Sequence, residues 1–97
     1  MSTEKSLQQW FTKECRSRGF LNYKFVSPSQ SGVPDVIVIG NGVTTYVELK
    51  TPRGTGKVSP LQRYVHDKMR SVGAKVLVTN DKDELKRWLD VEHRKLR

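Results

Sequence analysis

Cysteine is almost missing from this 97-residue chain, with Cys15 the single example. No intrachain disulfide can form, so stability has to come from packing, and a reducing intracellular, cytoplasmic setting is the simplest expectation. Histidine is nearly as scarce. His66 and His93 stand apart from any second ligand-like residue, which argues against a zinc site, and His66 reads as a helix-surface residue. Long apolar runs are lacking too. No segment approaches the roughly 20 residues needed to span a bilayer. The opening MSTEKSLQQW has no apolar centre of a secretion signal. There is no internal repeat and no low-complexity tract.

Acids are in deficit, 10 Asp and Glu against 18 Lys and Arg, for a net charge of +8 and an isoelectric point near 9.9. Such a balance favours polyanionic partners, nucleic acid first and an acidic membrane surface second. The plainer account is charge for solubility alone. Against it, the basic residues recur along the whole chain instead of forming one detachable tail. Mean hydropathy is −0.63, polar but still able to fold. At this length residues 1–97 make one domain, small enough for dimerisation to add useful stability.

Periodicity and punctuation give the elements. TEKSLQQWFTKECRSRG reads as a helix with Ser2 or Thr3 as cap, a buried stripe of Leu7, Trp10, Phe11 and Cys15, and Gly19 as its stop. FLNYKFV has strand composition, and SPSQSG breaks it. PDVIVI and VTTYVELK are strands joined through Asn41-Gly42, the strongest short signal for a type I′ turn. TPRGTGKVSP is a basic, glycine-bearing loop. Ser59 caps a second helix with Pro60 at its first position and Gly73 at its end, and Leu61, Tyr64, Val65, Met69 and Val72 are its expected core stripe. AKVLVT is a short strand. The last helix starts from Asn80 or Asp81 and turns Leu85, Trp88, Leu89 and Leu96 inward. The order α-β-β-β-α-β, followed by a C-terminal helix, predicts an α/β (α+β mixed) fold, a central mixed sheet flanked by helices. The helical crossover places the last strand parallel to a neighbour.

The hairpin carries the chemistry. With Asn41-Gly42 in the turn, Gly40 faces Val43, Ile37 faces Tyr46, and Asp35 faces Glu48. Val36, Val38, Thr45, Val47 and Leu49 form one face, the core. The other face becomes charged at its far end, where Lys50 follows Glu48 about 6.5 Å along the strand. Opposed carboxylates repel unless a proton or a cation sits between them. Two hard oxygen donors suit Mg2+ or Mn2+, which typically take one or two carboxylates plus waters and substrate phosphates. Acids, divalent ion, lysine and a basic exterior together describe metal-assisted phosphodiester hydrolysis. The plain alternative is a surface network in which Lys50 merely neutralises the two acids. A three-residue loop with no bulge would also turn Asp35 and Glu48 to opposite faces.

Pro34-Asp35, one hairpin, then Glu48-Leu49-Lys50 resembles the PD-(D/E)xK nuclease superfamily, with a restriction-endonuclease-like core. The wider string SGVPDVIVI, YVELKTP and SPLQRYVHDKMRSVGAKVLV is similar to the VRR-NUC (virus-type replication-repair nuclease) domain, here standing alone. The resemblance implies Mg2+- or Mn2+-dependent DNA cleavage, with Asp35 and Glu48 as metal-binding acids, Lys50 as catalytic lysine and the Leu49 carbonyl as a further ligand. It also implies a Holliday junction resolvase-like homodimer, because symmetric cutting of two strands needs two sites related by a two-fold axis. Products with a 5′-phosphate and a 3′-hydroxyl follow from the same resemblance. The poverty of histidine speaks against a nuclease of the His-Asn-His type.

Weaker candidates each have a plainer account. Glu4 sits where related nucleases add an acid from the first helix, but the helix dipole alone favours an acid there. Glu14 reads as a stripe-edge acid. Gln62 matches a glutamine that recurs near the site in this family, while Ser59-Pro60-Leu61-Gln62 is also a capping box. Tyr64 reads as core. RGTGK fails as a phosphate loop, since Val58 stands where Ser or Thr is required. Arg53, Lys57 and Arg63, with Lys24, Ser27 and Ser29, are candidate DNA-backbone contacts, which position a substrate without reading its sequence. The function expected is a structure-selective DNA endonuclease acting on four-way junctions. The alternatives are a non-catalytic nucleic-acid-binding module on the same scaffold, or a nuclease preferring flaps or plain duplex.

Overall fold

The computed structural model describes residues 4–50 and 58–94, the Glu4 and Arg94 side chains excepted. Helix α1 (Glu4–Ser17) leads into β1 (Leu21–Lys24), β2 (Val36–Gly40) and β3 (Val43–Leu49). Helix α2 (Pro60–Ser71), β4 (Lys75–Thr79) and α3 (Lys82–Arg94) follow. The four strands form one mixed sheet in the order β1-β2-β3-β4. The first three are antiparallel, and β4 joins β3 in parallel after the α2 crossover.

Local chemistry sets most boundaries. Helices α1 and α2 end in the same way. Phe20 N donates to Cys15 O (2.9 Å) and Gly19 N to Arg16 O (3.0 Å), while Ala74 N donates to Met69 O and Gly73 N to Arg70 O (both 3.0 Å). This is the double bond pattern of a Schellman cap, and it needs a left-handed residue at the crossing point. Gly19 (φ +78) and Gly73 (φ +97) supply it. Asp81 caps α3, its Oδ1 accepting from Asp83 N at 2.8 Å. Asn41 and Gly42 both take positive φ, 56° and 72°, as a type I′ turn requires.

The register follows the expected pairing: Gly40 with Val43, Ile39 with Thr44, Ile37 with Tyr46, Val36 with Val47. Val36, Val38, Val47 and Leu49 are buried together with Leu7, Phe11 and Cys15 of α1 and Leu85 and Leu89 of α3. Each such side chain withdrawn from water contributes roughly 1.5–3 kcal/mol. Helices α1 and α3 therefore share one face of the sheet, and Arg18 ties them together through Asp90 (Nη2 to Oδ1, 2.6 Å).

Helix α2 lies on the other face, in a different rotation from the one its apolar residues suggest. Val65 and His66 are buried and Met69 is half-buried, whereas Leu61, Tyr64 and Val72 are 46%, 58% and 85% exposed. The expected stripe holds only at Val65 and Met69. Tyr64 is not core, and His66 is not a surface residue. The inward face is Gln62, Val65, His66 and Met69, spaced i, i+3, i+4, i+7. Gln62 binds Lys50, and His66 lies against the Gly32 backbone. The expected Leu96 contact and the candidate contacts Arg53 and Lys57 lie outside the described residues.

Candidate active site

Asp35 immediately precedes β2, one step beyond the last paired position, Val36 with Val47. The alternation that buries Val36 and Val47 turns Glu48 to the opposite face, while Asp35, just outside the strand, borders the cleft beside α1. Its main chain is already held, Asp35 O accepting from Phe25 N at 2.8 Å. Glu48 sits on β3 between β2 and β4, opposite Val78, and is only 4% exposed. Leu49 buries its side chain in the core, so only its main chain is left to serve the site. Lys50 follows at the end of β3, its N–H donating to Thr79 O (3.0 Å).

The Lys50 ammonium is held from two sides. It lies 3.5 Å from Glu48 Oε2 and donates to Gln62 Oε1 at 2.9 Å. Gln62 reaches it from the first turn of α2. The same Oε1 also accepts from Ser59 N (2.9 Å), while Ser59 Oγ accepts from Gln62 N (3.1 Å), which completes a capping box. The two accounts of Gln62 thus coexist in one side chain.

The loop before Asp35 is pinned from below by α2. Gly32 (φ +91) approaches so closely that a Cβ there would stand 3.2 Å from Leu61 O and from Val65 Cγ2. His66 lies against the Gly32 backbone. Its Nε2 is buried with no hydrogen-bond partner among the described residues. Burial, then the nearby Arg70 and Lys50 charges, push the His66 pKa below its ordinary value. No motif marked Gly32 or His66 for this task. The only signal was a glycine three residues before the acid.

The other candidates are dispersed. Lys24 stands at the end of β1 and shares with Asp35 the lining of an open cleft beside α1. Ser27 is half-buried and Ser29 exposed in the following loop. Arg63 is exposed on α2 and lines a separate groove with Val58, Pro60, Tyr64 and Asp67. Glu14 lies far along α1, 3.6 Å from Arg18 Nη1, in an ion pair. Among the described residues no cluster of three or more His, Cys, Asp or Glu forms. Asp35 and Glu48, near the same end of the β2–β3 ladder, and the Leu49 main-chain carbonyl are hard oxygen donors of the kind a small hard cation takes.

No protein-family model matches the chain. "Putative nuclease p44" of Acyrthosiphon pisum secondary endosymbiont phage 1 is 36% identical over 81 residues, covering 82% of this chain and 85% of that protein. A solved structure described as a VRR_NUC domain superposes with a TM-score of 0.80 at 26% identity, over 93% of this chain and 97% of its own. The same mixed sheet, the acid-hairpin-ExK arrangement and a relative at this identity lead to one conclusion: the chain belongs to the VRR-NUC family of nuclease domains.

Proposed function

We propose that this chain is a divalent-metal-dependent DNA endonuclease whose preferred substrate is a branched, four-way junction, and that it acts as a homodimer. The observation that carries the catalytic reading is the Lys50 ammonium, 3.5 Å from Glu48 Oε2 and anchored at 2.9 Å by Gln62, at the end of the hairpin that carries Asp35 and Glu48. A lysine that only neutralised surface acids would not need a second, uncharged anchor reaching in from another helix.

Asp35, Glu48 and the Leu49 carbonyl would hold Mg2+ or Mn2+, which supplies a water of lowered pKa and an offset for phosphate charge. Lys50 stabilises negative charge developing on the phosphate oxygens or orients the attacking water. Its ammonium is already positioned, so little reorganisation is needed when charge develops. Gln62 is a positioning residue that holds Lys50. Lys24 and Arg63, with the expected contributions of Arg53 and Lys57, attract the phosphate backbone. The dimer is supported by the apolar residues left outside on α2, Leu61, Tyr64 and Val72.

An immobile four-way junction and a linear duplex of matched length, incubated at equal salt with Mn2+, Mg2+ or chelator, test the reading. The expected result is nicking of the junction in both ions and none in chelator, with Lys50→Ala losing cleavage by at least a hundredfold while still binding DNA. Absence of nicking with every divalent ion overturns the enzyme. Preference for the duplex overturns only the junction. Sedimentation of the free protein reports the dimer.

A further inference from the structure

We propose that the cleft between α1 and β1 is a strand-binding channel that leads nucleic acid to Asp35. In it Lys5 and Lys24 hold phosphates, and the Gln8 and Gln9 amides meet sugar or base edges. This deepens the nuclease reading and rests on it. The cleft has a volume of ≈ 650 Å³ and is lined by Lys5, Gln8, Gln9, Thr12, Asn22, Lys24 and Asp35. Every lining residue is polar, two are cationic, and the one acid is the candidate metal ligand Asp35.

The lining is organised. Lys5, Gln8, Gln9 and Thr12 recur at i, i+3, i+4 and i+7, so one stripe of α1 faces the cleft while Leu7, Phe11 and Cys15 of the same helix are fully buried in the core. That stripe runs about 10.5 Å, the axial rise of roughly three nucleotides of duplex. On the opposite wall Asn22 and Lys24 pair with the core residues Val38 and Val36, which sets both on the α1 side of the sheet.

The floor is tied down. Thr12 Oγ1 donates to Gln8 O at 2.9 Å and lies 3.3 Å from Asn22 Oδ1, and Asn22 Nδ2 donates to Cys15 Sγ at 3.3 Å. By contrast, the side chains of Lys5, Gln8, Gln9 and Lys24 make no hydrogen bond or ion pair among the described residues. A rigid polar floor with uncommitted amides and ammonium groups above it, bordered by the Asp35 carboxyl, suits a polyanion carrying hydrogen-bonding edges.

The test is anisotropy titration of a fluorescein-labelled four-way junction and a linear duplex, with chelator present and across a salt series. Lys5→Ala/Lys24→Ala should lower the slope of log affinity against log salt by about two, near the 0.9 per phosphate contact expected for duplex DNA. Gln8→Ala/Gln9→Ala should weaken binding about tenfold with the slope unchanged. Lys75→Ala, on the far edge strand, should change neither. Unaltered affinity and slope in both double variants, with melting temperatures retained, overturn the channel. An equal loss of slope from Lys75→Ala overturns it too, since binding is then diffuse. Cleavage by the parent protein in Mn2+ is scored separately. Binding losses without any cleavage sink the nuclease and leave the channel standing, whereas cleavage with unaltered binding does the reverse.

Discussion

At the scale of single residues, the Oε1 of Gln62 accepts both the Ser59 amide and the Lys50 ammonium. The start of α2 and the position of the lysine are therefore not independent. Gln62→Leu removes both bonds while keeping most of the volume. It should cost about 1 kcal/mol of stability, the usual worth of a cap, and lower cleavage at saturating DNA by tenfold or more with affinity little changed. Denaturant melts paired with single-turnover cleavage separate the two effects.

His66 gives a second residue-scale expectation. The folded protein holds its imidazole pKa below the ordinary 6.5 by burial and by the Arg70 and Lys50 charges, while the Gly32 backbone and then Asp67 pull the other way. The unfolded chain takes up a proton as pH falls below 6.5, so it binds more protons than the folded one there. Stability from this group is complete above that pH and is lost on acidification through the depressed folded value. Unfolding midpoints measured from pH 7.5 downward should fall below about 6.5, and His66→Gln should flatten that limb. Cys15 needs no such watch. Burial pushes its thiol up to about 11, so it stays protonated and unreactive until the protein unfolds.

At the scale of elements, the caps, turns and strand faces were legible because each is decided within a few residues. Gly19 and Gly73 stop their helices, Asn41-Gly42 closes its hairpin, and the period-two pattern of Val36, Val38, Val47 and Leu49 points to one face. The register that pairs Val36 with Val47, and so brings Asp35 and Glu48 toward one end of the hairpin, follows from that turn alone. The rotation of α2 was not legible. Its apolar residues mark Leu61, Tyr64 and Val72, but the inward face is chosen by two polar side chains whose partners, Lys50 and Gly32, are 12 and 34 positions away in the chain. Hydrophobic counting fails where a helix delivers polar groups to a site. Gly32→Ala probes this docking. With φ +91 and a Cβ 3.2 Å from Leu61 O, it should cost about 1–3 kcal/mol. It should also lower cleavage by displacing Asp35, while Gly42→Ala, at an open turn where nothing lies within 4 Å, should cost stability alone.

At the scale of the whole molecule, the two faces of the sheet are covered unequally. The core face is sealed between α1 and α3, whereas the face carrying Glu48 and Lys50 is covered by α2 alone. Leu21, Tyr23 and Ile39, at 51%, 54% and 37% exposure, mark where that cover ends. Among the described residues no helix is long and apolar enough to cross a membrane. Composition could point to a polyanion, but not to the α1–β1 cleft, because Lys5, Gln8 and Gln9 become neighbours of Lys24 only when the first strand folds back on the first helix.

The strand that bears Glu48 is interior, laddered to β2 on one side and β4 on the other, while β1, which walls the cleft, is a four-residue edge. Amide hydrogen exchange should resolve this division. The amides of Tyr46 through Leu49 should open only with global unfolding, and those of Leu21 through Lys24 should exchange sooner through local fraying. The carboxylate would then ride on the slowest-exchanging strand of the protein, with breathing confined to the entrance.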